Sequence, residues 1–230
     1  MPQTQNHERP CQINRSTRPA ALLPLCLVSC ALFWLGCNRG AVTIDHEPSH
    51  RLVFANDYLR VYRVEAGPHQ STRLHLHDHD YIWVSIGPAD ITNAVQGKPP
   101  VKTRLEDGDV HFVPGSFSHV VTNNADQPFR NYTIALLKNG AVQLPPGEDA
   151  HSVSLLHSGS VESLFVQDGV RATEITLNPG ATISGPHLAR PHLLVHVNPD
   201  DHTVQWADAD KAPSLTNSTA QKATYLLLEF

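Results

Sequence analysis

The chain has 230 residues, enough for one sizeable domain or two small ones. Its net charge is -5 with histidine neutral, and no Lys/Arg block stands out after residue 40, which argues against a nucleic-acid partner. Few aromatics, 18 prolines and 13 glycines, set between short Val/Ile/Leu/Thr runs, favour an all-β fold over a helical one.

Residues 1–18 are polar and include Arg9, Arg15 and Arg18, whereas residues 20–36 are apolar and uncharged. A positive flank followed by an apolar run is the layout of a signal peptide; a membrane anchor is the second reading, weakened by Pro24. All four cysteines, Cys11, Cys26, Cys30 and Cys37, precede residue 38. The rest of the chain therefore offers no disulfide, thiolate ligand or cysteine nucleophile. Leu27-Val-Ser-Cys30 and Leu35-Gly36-Cys37 each resemble the lipobox of bacterial lipoproteins, so Cys30 and Cys37 compete as lipidation sites. The expectation is an exported protein of the periplasm or cell envelope. Residues 1–37 form its signal peptide or membrane anchor, and residues 38–49 a short polar linker.

From residue 50 the chain breaks into short strand-like runs at 51–55, 58–64, 71–77, 81–86, 89–95, 101–105, 110–113, 119–122 and 129–137. Turn signals punctuate them: Asn56-Asp57, Gly67-Pro68, Gly87-Pro88, Glu106-Asp-Gly108-Asp109, Pro114-Gly115 and Asn123-Asn124. That spacing, without a convincing helix, predicts a barrel or sandwich. Trp83 and Phe112 read as core, and Asn123 as a turn residue.

His75-Leu-His77 carries the first chemical signal. On a strand, side chains alternate with period two, so both imidazoles face one side. His119, brought in from another strand, completes a facial set. Three neutral nitrogens with open positions suit a divalent metal such as iron, manganese, zinc or nickel.

These residues also carry a family resemblance. Gly108, Pro114, Ser116, His119 and Asn123, at their spacing, are similar to the second motif of the cupin superfamily, with Ser116 in place of the usual glycine. His75-Leu-His77 resembles the start of the first motif, and Gly87 its closing glycine. The resemblance covers roughly residues 50–138 and implies a cupin double-stranded β-helix, the jelly-roll barrel. It further implies metal ligands at His75, His77 and His119. The glutamate of the first motif is absent: no glutamate lies between Glu65 and Glu106. Either Asp80 supplies a shorter carboxylate, or the site is three-histidine as in thiol dioxygenases. His79 and a Tyr81 phenolate are the remaining candidates nearby.

Residues 139–160 read as a linker rich in Pro, Gly and polar residues, with His151 and His157 on the surface, as His202 is further on. Residues 161–230 read as a truncated second cupin-like unit. The run 167–180 parallels 56–67, His187 parallels His75, and Leu215-Thr-Asn217 parallels Val121-Thr-Asn123. This copy lacks a His-x-His pair, and Pro213 stands near the place of His119. Its expected role is to cover an edge or face of the first barrel.

Two functions follow as expectations. One is a metal-dependent dioxygenase acting on a small molecule. The other is a non-catalytic module of the cell envelope that binds a small ligand or a metal; a purely structural envelope role leaves the three histidines without a purpose. The resemblance also implies a homodimer formed through sheets.

Overall fold

The computed structural model describes residues 40–144, 151–184, 188–197 and 203–230. The four cysteines, the apolar run 20–36, His187 and His202 lie outside the described residues. Among the described residues, no helix is long and apolar enough to cross a membrane.

The runs predicted in the first half become strands, and a further strand, β1 (Val42–Thr43), forms within the span read as a polar linker. The predicted runs give β2 (His50–Ala55), β3 (Leu59–Ala66), β4 (His75–His77), β5 (Tyr81–Ser85), β6 (Ala89–Val95), β7 (Val101–Leu105), β8 (Val110–Val113), β9 (Phe117–Asn123) and β10 (Phe129–Leu136). Two five-stranded sheets result, ordered β1-β4-β9-β6-β7 and β2-β3-β10-β5-β8. From β4 to β10 the chain passes repeatedly from one sheet to the other, which is jelly-roll topology. Turn chemistry enforces the crossings. Gly108 takes a φ of 83°, where a side chain is strained, and the Asp109 carboxylate accepts from the Glu106 N–H at 2.8 Å.

The central strands are buried on both faces because both faces are covered. Tyr81 and Trp83 on β5, and Asn131 and Thr133 on β10, face the space between the two sheets, where they line a cavity. Ile82, Val84, Tyr132, Ile134 and Leu136 point the other way. They pack against Val170, Ala172, Leu193, Val195, Leu226 and Leu228 from the second half in one buried cluster. Period-two alternation therefore sorts each strand into a barrel lining and an inter-unit contact.

The second half contains β11 (Ser152–Leu156), β12 (Gly159–Gln167), β13 (Val170–Leu177), β14 (Thr182–Ser184), β15 (His192–Val197), β16 (Val204–Ala207), β17 (Ser214–Thr216) and β18 (Ala223–Glu229). Within the span read as a linker, residues 152–156 form a strand. Every residue of β11 is exposed, and it pairs only with β12, so no burial pattern marked it. His151 and His157 are exposed as expected.

The sheet β11-β12-β13-β18-β15-β16 repeats the order β2-β3-β10-β5-β8 from its second strand onward, and β14-β17 repeats β4-β9. One side-chain device repeats too. Buried Asn123 donates to the carbonyls of Ala66, Gly67 and Gln127, and its Oδ1 accepts from the Ala125 N–H. Buried Asn217 donates to Leu177, Asn178 and Gln221, and accepts from Thr219 N–H. The hairpin β6–β7 has no counterpart, because only residues 198–203 join β15 to β16. The second unit is thus a truncated copy of the first.

Replacing either asparagine by alanine strips buried carbonyls of their donor. Asn123→Ala and Asn217→Ala should each destabilise the protein by about 1–3 kcal/mol in urea unfolding. A loss below about 0.5 kcal/mol, the range of ordinary surface changes, would refute the structural role of that residue.

Candidate metal centre

Register builds the site. On β4 and β9, His75 lies directly opposite His119, and His77 sits two residues along on the same face. The Nε2 atoms of His75 and His119 approach to 3.0 Å, and those of His77 and His119 to 3.1 Å. All three residues are buried. A fourth imidazole arrives from β2: one ligand-capable atom from each of His50, His75 and His77 lies within 4.8 Å of the others. The side chain of His50 is 4% exposed.

Hydrogen bonds on the far side of each ring decide which nitrogen is bare. His75 Nδ1 lies 2.8 Å from the Arg73 carbonyl oxygen, which only accepts, so Nδ1 carries the proton. His119 Nδ1 donates to Asn93 Oδ1 at 2.9 Å, and His50 Nδ1 to the Glu47 carboxylate at 2.8 Å. In neutral rings the opposite Nε2 then holds a lone pair and no hydrogen. The 3.0 Å contact between His75 and His119 therefore sets two lone pairs against each other. A cation placed among them turns that repulsion into coordination, so the donor set fits a divalent metal.

Burial keeps the rings neutral. It holds His75 at about 4, His77 at about 2 and His119 at about 3, with neighbouring imidazoles adding to the lowering. Burial raises the phenol of Tyr81, which stacks on His77 at 4.2 Å, so Tyr81 stays protonated and offers no phenolate.

The segment holding His50 is anchored by its own contacts. Ile44, in the single 3-10 turn Ile44–His46, is buried with Tyr62, Val64 and Ala135. Asp45 receives Arg60 at 3.1 Å and the Tyr62 hydroxyl. Glu47 is buried. Burial alone would raise its carboxyl, but bonds from His50 and from the Arg73 and Ser49 N–H groups outweigh that and hold it at about 2. Arg73 links two ligands: its N–H donates to Glu47, and its carbonyl accepts from His75.

Asp80 has a different task. Its Oδ1 accepts from the Gly115 N–H at 2.7 Å, fixing the β4–β5 connection against the Pro114-Gly115 turn. A Cβ on Gly115 would lie 2.3 Å from the His79 backbone, so close approach demands glycine there. Ser116 holds a φ of 64° where the motif usually has glycine. His79 is 41% exposed and lies nearest the Asp78 carboxylate, at 3.9 Å. Sequence reasoning missed His50, whose only local mark is its spacing from Glu47; two separate strand pairings bring it to the site.

The imidazoles open onto a cavity of about 120 Å³ between the two sheets of the first unit. Trp83, expected in the core, forms part of its wall. Phe112 packs instead on the inter-unit cluster.

No protein-family model and no curated protein matches the chain. Among solved structures it is similar to vicilin from Solanum lycopersicum (tomato), at 10% identity over 75% of this chain and 74% of that one, with a TM-score of 0.56. It is similar to AerE from Microcystis aeruginosa at 11% identity over 80% of this chain and 97% of that one, with a TM-score of 0.51. A cupin domain from Bordetella pertussis Tohama I is 22% identical over 38% of this chain and 90% of that one, with a TM-score of 0.36. The likeness is one of fold: a cupin double-stranded β-helix followed by a truncated second cupin-like unit.

The depressed histidines make a pH prediction for metal-free protein. A ring held below its usual 6.5 takes up its proton only on unfolding, so stability is full above that value and declines as pH falls below it. Thermal unfolding between pH 7.5 and 5 should show a melting temperature that falls on acidification, before ordinary carboxylates titrate. A flat profile would contradict the buried neutral cluster.

Proposed function

We propose that this chain is a divalent-metal cupin whose centre is held by His75, His77 and His119, with His50 taking the place of the missing glutamate. The observation that carries this reading is the convergence of three buried Nε2 atoms, with those of His75 and His119 left bare by the bonds their Nδ1 atoms make. Asp80 is set aside as a ligand because its carboxylate is committed to Gly115. Iron, manganese, zinc and nickel all accept imidazole, and the donor set does not choose among them.

The reaction we favour is oxidation of a small molecule in the cavity. When bound, the metal supplies a Lewis acid with positions open to an exogenous ligand and, if it is iron, a site for dioxygen. The protein's own contributions are separable. Glu47 orients His50, the Arg73 carbonyl orients His75, and Asn93 fixes the tautomer of His119. Tyr81 and Phe117 stack on His77, and the apolar wall beyond limits water. We further propose export, on the signal-like segment before residue 38.

Metal content of purified residues 38–230, measured by elemental analysis, tests the ligand set. His75→Ala, His119→Ala and His50→Ala should each weaken binding at least about tenfold, whereas Asp80→Asn should leave the metal in place. Full metal content in the histidine variants, or none in the parent, would end the proposal. Oxygen uptake on a panel of thiols, diketones and phenols separates an oxygenase from a binding module.

Glu47→Gln keeps the shape but removes the charge behind His50. Cobalt affinity should fall about 10–100-fold, and the cobalt absorption bands should shift, with secondary structure by circular dichroism retained. Unaltered bands and affinity would show that Glu47 serves the fold alone.

A further inference from the structure

We infer that the centre takes a small monoanion with an oxygen-donor head and a short apolar body, bound head-first at the imidazoles. The inference rests on the metal reading above and names its ligand class.

Charge is the first argument. The cavity lining contains no Lys, Arg, Asp or Glu. A charged ligand finds no side-chain counterion there, and burying an unpaired charge is costly. An imidazole bound to a metal is a neutral ligand, so a divalent ion keeps its full charge, against the buried carboxylate of Glu47 behind His50. One more negative charge balances the site. A dianion overshoots, and a cation is repelled.

Polarity is the second. The histidines and Asn93 form one pole of the cavity. At the other, Ile91, Leu105, Val121 and Phe129 pack as an apolar cluster with Trp83 against them. Asn131 also lines the cavity. Its Oδ1 accepts from Thr133 Oγ1 at 3.0 Å, which leaves its amide N–H groups to donate to a second oxygen of the ligand.

Size is the third. The cavity of about 120 Å³ is a little smaller than the ~150 Å³ that accommodates benzene. A body of roughly six or seven non-hydrogen atoms fits within it.

The test uses cobalt-loaded protein, with loading confirmed by elemental analysis. Acetylacetonate and oxalate are titrated separately, and the cobalt absorption bands and binding heat are followed. Acetylacetonate, a monoanion with an apolar periphery, should bind at least about tenfold more tightly than the dianion. Asn131→Asp places a negative charge in the cavity with little change of shape and should weaken acetylacetonate about tenfold. Oxalate binding as tightly, or acetylacetonate binding undiminished in Asn131→Asp, would overturn the inference. Cobalt that binds but does not respond to acetylacetonate overturns the ligand class and leaves the metal reading standing. Cobalt that fails to bind the parent chain removes both.

Discussion

Two imidazole nitrogens without hydrogens face each other at 3.0 Å inside an apolar barrel, and a third stands 3.1 Å from one of them. Water would relieve such a contact by solvating each lone pair, but these rings are buried and their outer nitrogens are already committed to acceptors. Protonation would also relieve it, yet burial makes a charged ring costly here. A cation bound among the rings would also relieve it, so the arrangement fits a divalent metal.

Much of that preorganisation comes from outside the motifs that name the fold. The short stretch from Ile44 to His50 is fastened to β3 by a buried isoleucine and by Asp45, and it delivers Glu47 and His50 together. Glu47 holds both the His50 ring and the Arg73 N–H, and the carbonyl of the same Arg73 holds the His75 ring, so one residue is tied to both imidazoles. The carboxylate that the first motif lacks is present after all, one layer out from the imidazoles.

The second unit explains why a barrel with strands buried on both faces persists in one piece. Its sheet buries the outer residues of β3, β5 and β10, and the matching strands β13, β15 and β18 bury theirs in return. The closing asparagine device survives in both copies. The hairpin β6–β7 carries Asn93, and its partner β9 carries His119. Losing that hairpin in the second unit removes the support for a histidine at the β9-equivalent position, where Pro213 stands nearby. The first barrel holds the histidine cluster, and the second packs against its outer face.

The strand periods, the turns at Gly87, Gly108 and Pro114-Gly115, and the convergence of His75, His77 and His119 were legible in the residues alone. Each rests on local rules: alternation along a strand, turn preferences and motif spacing. The second-unit parallel was legible for the same reason, since Asn123 and Asn217 sit in similar local runs. The place of His50 and the bonds that Glu47 makes to His50 and to the Arg73 N–H were not. Neither were the engagement of Asp80 with Gly115, the strand at residues 152–156 and the placement of Trp83 on the cavity wall. Those depend on which strands become neighbours, and pairing between distant segments leaves little trace in either one. Residue types determined which imidazoles turn to the barrel interior; only the assembled sheets decided that a fourth ring, His50, reaches them.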